Sequence, residues 1–157
     1  GANTSVNVLY SGTMSAAIEA AISRVPSIGF SILDYSLDAD FSHSQEYVLS
    51  IVRKVLEKGL PPGICLNVNI PKLSSKELKG IKVCRQSDGH WEEEYDERIN
   101  PLGKKYYWLT GKFFNHDEEK DTDIWALENG YISIVPVMFD MTAHNLIHEL
   151  DYFSTNG

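Results

Sequence analysis

Three small polar residues in a row, Ser11-Gly12-Thr13, stand at the head of an apolar-periodic stretch. They are the residues of this chain whose types and spacing best suit chemistry. Met14, Ala17, Ile18, Ala21, Ile22 and Val25 recur at helical spacing, so the polar turn opens a helix. A glycine flanked by hydroxyls at the positive end of a helix offers backbone N–H groups to an anion such as phosphate. The same pattern also describes an ordinary hydroxyl-rich helix start, and the pattern alone leaves both readings open. There is no capping box, because the residues three after Ser11, Thr13 and Ser15 are Met14, Ala16 and Ile18. It is not a Walker loop either: no Gly-Lys-Ser/Thr is present, and no Lys or Arg precedes Arg24. A phosphate bound here would need its charge offset by a metal or another segment.

Other candidate groups are weaker. His144 and His148 lie four apart, but Asn145 and Ile147 exclude both the His-Glu-x-x-His motif and its inverted form, and capping or solvated histidines are expected. His43, His90 and His116 read as isolated. Asp38 and Asp40, and Asp117, Glu118, Glu119, Asp121 and Asp123, form acidic runs without EF-hand spacing and read as solvated loop charge. Cys65 and Cys84 sit in separate apolar segments with no Cys-x-x-Cys spacing, as buried reduced thiols of a cytoplasmic protein would. No Gly-x-Ser-x-Gly elbow is present.

The elements that must position the first turn follow in order. Ser27–Leu33 reads as a buried strand. Ser42 and Gln45 have capping-box spacing for a helix carrying Val48, Ile51, Val52 and Val55, which stops at Gly59 before Pro61 and Pro62. Residues 64–71 form the next strand, so βαβ units and a mostly parallel sheet are expected. Residues 80–86 are a strand, and 85–115 read as extended, aromatic-rich hairpins. Such hairpins serve subunit contacts or pack as a small antiparallel lobe on their own chain, and both readings stand. A short helix over 123–129, a strand over 131–137 and a last helix capped by Thr142 complete the chain.

The 157 residues suffice for one domain with a core, and 43 % hydrophobic and 11 % aromatic content mark a globular chain. The net charge of −8 disfavours nucleic-acid polymers, while a single mononucleotide remains compatible. No apolar run reaches membrane-spanning length and no signal peptide is visible. There is no initiator Met, and Gly1-Ala2-Asn3 reads like the interior of a loop, so an N-terminal part is expected to precede this sequence.

Taken in order, the motifs resemble the SurE family, survival-protein phosphatases that act as metal-dependent 5′/3′-nucleotidases. The resemblance begins at Gly1-Ala2-Asn3, where the family has Gly-x-Asn. It runs through residues 9–19, where the family has Tyr-Ser-Gly-Thr-Val followed by small residues and Met/Ile-Glu. It resumes at Leu66-Asn67-Val68-Asn69-Ile70-Pro71, residues 80–86, Tyr106-Tyr107-Trp108, Thr122-Asp123, residues 130–136 and Asp140-Met141-Thr142-Ala143. Each motif is modest, and the ordered set, which spans the chain, is specific. Ala20 departs from the Gly usual after the Glu.

The resemblance implies a single α/β domain: a Rossmann-like, mostly parallel sheet with helices on both faces. Its core is expected over about 1–84 and 122–140, with extensions over 85–121 and 141–157. An extended β-hairpin and a C-terminal helix exchanged between subunits are implied, giving a homodimer or homotetramer. Also implied are a divalent cofactor, Mg²⁺ or Mn²⁺, and hydrolysis of nucleoside monophosphates. The family's metal ligands, an Asp-Asp pair, a Ser and the Asn of Ser-Gly-Ile-Asn, are expected upstream of Gly1. What carries over is the phosphate side: Asn3, Ser11, Gly12 and Thr13. A second class stands beside the enzyme, a non-catalytic nucleotide-binding or assembly module that lacks the metal-binding carboxylates.

Overall fold

The computed structural model describes residues 1–155, and its elements alternate as the apolar patterning requires. A 3-10 segment over Ser5–Tyr10 leads into helix α1 (Gly12–Ile22), then strand β1 (Ser27–Ile32), helix α2 (Gln45–Lys58) and strand β2 (Ile64–Ile70). Strands β3 (Gly80–Val83), β4 (Gly89–Ile99) and β5 (Lys105–Asn115) follow, then helix α3 (Asp123–Glu128) and strand β6 (Tyr131–Met138). No helix among the described residues is long and apolar enough to cross a membrane.

The main sheet has the order β1-β2-β6-β3. The β1–β2 and β3–β6 pairings are parallel, as expected, while β2–β6 is antiparallel, so the sheet is mixed. The reason lies in the connections. Strands β1 and β2 are linked through α2, and β3 and β6 through the hairpin and α3, which is chain enough for crossovers. Only residues 71–79 separate β2 from β3. That is too short to carry the chain back along the sheet, so the second unit enters with reversed direction.

Helices cover both faces. Met14, Ala17 and Ala21 of α1 pack with Val8 and Cys65 on one face, where α3 places Ala126 against Cys84 and Val135. Ile51 of α2 packs on the other, against Val68, Ile70, Leu78 and Ile132. Met14 is wholly buried, which contributes about 1.5–3 kcal/mol. Gly29 lets α1 come this close: a Cβ there would lie 2.5 Å from Met14 Sδ.

Four local expectations are corrected. Ile22 and Val25 are exposed, because α1 stops at Ile22 and Arg24 turns with φ +63°. Ser42 and Gln45 form no capping box, since Asp40 takes both the amide and the hydroxyl of Ser42 and α2 starts at Gln45 without a side-chain cap. The last helix is absent: Thr142 precedes two 3-10 segments, His144–Leu146 and His148–Phe153, with no buried residue. Helices this short need a packing surface, and Leu146, Ile147 and Leu150 stay 39 %, 53 % and 48 % exposed. Nor are His90 and His116 isolated, for their rings stack at 5.2 Å.

The expected hairpin is one two-stranded ribbon, β4–β5, paired from Gly89↔Asn115 to Ile99↔Lys105. Trp91, Tyr95, Tyr107 and Leu109 are all more than half exposed on one of its faces. Expectations for residues 156–157 lie outside the described residues.

Candidate active site

Register puts Gly29 and Ser31 of β1 beside Asn67 and Asn69 of β2. All four lie on the face covered by α1, and Ser133 of β6 continues the row opposite Asn69. Asn67, Asn69 and Ser133 are at most 2 % exposed. A polar strip thus runs across the carboxyl ends of the two parallel strands, the place where ligands of open α/β sheets bind.

Asn3 lies on this strip. Its amide donates to Asn69 Oδ1 at 2.7 Å, its carbonyl accepts from Asn67 Nδ2 at 2.7 Å, and its side-chain Nδ2 donates to Ser31 Oγ. Two residues on, Ser5 is 1 % exposed and adopts φ +55°. Its amide donates to Asp123 Oδ2 at 3.0 Å, and its hydroxyl lies within donating distance of the Ser87 and Gly89 carbonyls. Asp123, also 1 % exposed, further accepts from the amides of Ser87 and Ile124. Three N–H donors therefore solvate a carboxylate that the acidic run suggested would face water.

Ser11 is the N-cap of α1. Its Oγ accepts from the Met14 amide at 3.0 Å, a cap that contributes about 1 kcal/mol, and it is 7 % exposed. Its hydroxyl proton remains free to donate. Gly12 and Thr13 are exposed, and their amides have no protein acceptor among the described residues. Thr13 Cγ2 lies 3.5 Å from where a Gly29 Cβ would stand. Thr13 is therefore placed over Gly29, and Asn3 over Ser31 two residues along the same strand face. The four expected residues gather at one corner of the sheet: Asn3 on the strip, and Ser11, Gly12 and Thr13 at the helix end beside it.

Charge around this corner is sparse. Lys72, just after β2, pairs with Asp34 at 3.1 Å. No group of three or more His, Cys, Asp or Glu side chains forms a metal cluster among the described residues. These residues do not fit a divalent-metal site by themselves. His144 instead meets Asp140 at 2.8 Å. Part of the second acidic run is also engaged, since Arg85 bridges Asp117 and Asp121 and holds the Asp117 carboxyl at about 2. Burial pushes both thiols up, Cys84 further through the Asp123 charge, so neither is a ready nucleophile. A cleft of about 610 Å³ opens between the 3-10 segment and the hairpin, lined by Val6, Asn7, Tyr10, His90 and Trp91.

Asn67, Asn69, Ser5 and Asp123 were not legible as site residues. The available signal was two asparagines at alternating positions, 67 and 69, on the face of an otherwise apolar strand.

Comparison with known proteins identifies the family. The family model described as Survival protein SurE matches residues 1–93. A 5′-nucleotidase SurE of Christiangramia forsetii is 62 % identical over 99 % of this chain and 60 % of its own length. One from Flavobacterium psychrophilum is 58 % identical over 99 % of this chain and 61 % of its own. The crystal structure of the SurE protein from Aquifex aeolicus superposes with a TM-score of 0.80 at 39 % identity, covering 97 % of this chain and 61 % of that one. The chain spans about 60 % of the length of the curated relatives it matches. With an ordered set of motifs, a matching fold and relatives this similar, the chain belongs to the SurE family.

Proposed function

We propose that the protein carrying this chain is a phosphoric monoester hydrolase that converts nucleoside monophosphates to nucleoside and phosphate. The observation that carries the reading is the corner where two unpartnered helix-end amides, those of Gly12 and Thr13, stand beside the Asn3 strip at the carboxyl ends of parallel strands. Those amides and the Thr13 hydroxyl donate to phosphoryl oxygens, and the α1 dipole favours the anion. Ser11 keeps the helix end open by capping Met14 and has one proton to give. The relatives named 5′-nucleotidase SurE support the reaction class.

A divalent cation, Mg²⁺ or Mn²⁺, belongs to the reading through the family, but the described side chains do not supply its ligands. Cytoplasmic residence is consistent with two unpaired buried thiols. Self-assembly as a homodimer or homotetramer is supported by the hairpin, because an isolated two-stranded ribbon with aromatic residues in water is marginal without a covering surface.

The test is phosphate release from nucleoside 5′-monophosphates by the full-length protein with Mg²⁺ or Mn²⁺. Ser11→Ala is expected to lower kcat/KM about 10-fold or more. Ser11→Gly, which preserves most of the capping stability, separates the lost hydroxyl from a loosened helix. Unchanged kinetics in both variants removes Ser11 from the site. No phosphate release by the unaltered protein favours the binding or assembly module.

A further inference from the structure

We infer that Asn67 and Asn69 are positioning residues that act through Asn3, holding the phosphate corner in place; the inference rests on the phosphate reading above. In β2 the side chains at 65, 67 and 69 share one face, and Cys65 fills its position as a small apolar group. Asn67 and Asn69 are 2 % and 0 % exposed on that same face. Burying two primary amides is costly unless they are bonded, and apolar residues of similar volume pack there without that cost.

The amides are bonded to one residue above all. Asn69 Oδ1 accepts from the Asn3 amide at 2.7 Å, and Asn67 Nδ2 donates to the Asn3 carbonyl at 2.7 Å. Asn69 Nδ2 donates to Asn67 Oδ1 at 3.0 Å and reaches the Asn3 carbonyl at 3.5 Å. This fixes the orientation of both side chains, because flipping either would set donor against donor or acceptor against acceptor. Together they give residue 3 both backbone hydrogen bonds that a neighbouring strand would supply. Asn3 thereby keeps its side chain on Ser31, two residues along β1 from Gly29, over which Thr13 is placed. A network in which each member fixes the next is worth most when complete. Releasing one end shifts Asn3 relative to the amides of Gly12 and Thr13, and shifts of about 1 Å at a binding corner cost up to about 100-fold in rate.

The test uses the full-length protein with Asn67→Leu, Asn69→Leu and Asn67→Asp. The readouts are amide exchange at Asn3, the dissociation constant for inorganic phosphate, and kcat and KM on a nucleoside 5′-monophosphate. Expected are faster Asn3 exchange and phosphate binding weakened about 10-fold or more. In Asn67→Asp the ionised carboxylate repels the Asn3 carbonyl, whereas the protonated form donates to it. Its phosphate affinity, taken as a ratio to the parent at each pH, should therefore recover as pH falls through the new group's titration. A purely packing role would not produce that recovery. Should the leucine variants not fold, the pH ratio of Asn67→Asp decides. Parent-like phosphate affinity in the variants, or a flat ratio, overturns the inference while the phosphate reading stands. A parent protein that binds no phosphate overturns both.

Discussion

The two halves of this chain solve the problem of burying apolar surface in opposite ways. The α/β half closes its own core: α1 and α3 cover one sheet face and α2 the other, and Met14, Val68 and Ile132 are fully buried. The hairpin and the segment after β6 close nothing. Trp91, Tyr95, Leu109, Ile147 and Tyr152 stay in contact with water, and the two 3-10 segments at the end bury no residue. The first half is therefore packed firmly enough to hold a site still, and the second leaves apolar side chains exposed. One joint between them is Asp123, which binds the Ser5 amide and the Ser87 amide at the hairpin root.

Removing that joint should have the largest effect. Asp123→Ala strands three buried amides, each costing about 1–3 kcal/mol. The expected loss is about 3–5 kcal/mol in urea denaturation. Asp123→Asn keeps one acceptor oxygen and should lose less. A loss below about 1 kcal/mol for the alanine variant would show that water replaces the carboxylate and that the two halves are not joined here.

The next effect should fall on assembly rather than on folding. Tyr95→Lys places a charge on the aromatic face of the ribbon, where Tyr95 is 66 % exposed. Light scattering should report a smaller particle, while the unfolding free energy of the separated chain moves by no more than about 0.5 kcal/mol. An unchanged particle mass would mean that the hairpin is not the covered surface.

The smallest effect concerns a surface pair at the hairpin's exit. Arg85 holds the folded Asp117 carboxyl at about 2, against an ordinary value of 3.8. A depressed carboxyl stabilises above its unfolded value, so this contribution is complete above about pH 4 and fades as pH falls toward 2. Asp117→Asn should remove this contribution where it is present, above about pH 4, by the small amount an exposed pair carries, and leave stability below about pH 2 unchanged, so the acid limb flattens over that window. A steeper acid limb in the variant would refute the assignment.

Much of the first half was legible because its signals are local. Helical spacing from Met14 to Ala21, the Gly59 stop and the apolar strand over 64–70 each depend on residues within a turn or two. The helix-end turn proposed to bind phosphate was legible for the same reason, since Ser11, Gly12 and Thr13 are adjacent. The failures share a cause as well. Whether Ser42 caps α2 turned on competition from Asp40, and whether residues 142–153 form a helix turned on a packing surface that the described residues do not provide. His90 and His116 meet only because β4 and β5 pair.

The sequence by itself determined the alternation of helix and strand, the open helix end at Ser11–Thr13 and the aromatic character of the hairpin. Backbone propensity and side-chain periodicity act over a few residues, and that is enough to set these features. Tertiary structure decided the reversed direction of β3 and β6, the placing of Asn3 on Asn67 and Asn69, and the burial of Asp123. Each of these depends on groups 64 or more residues apart. Only once the sheet has assembled can a buried amide or carboxylate find the particular backbone groups that repay its desolvation.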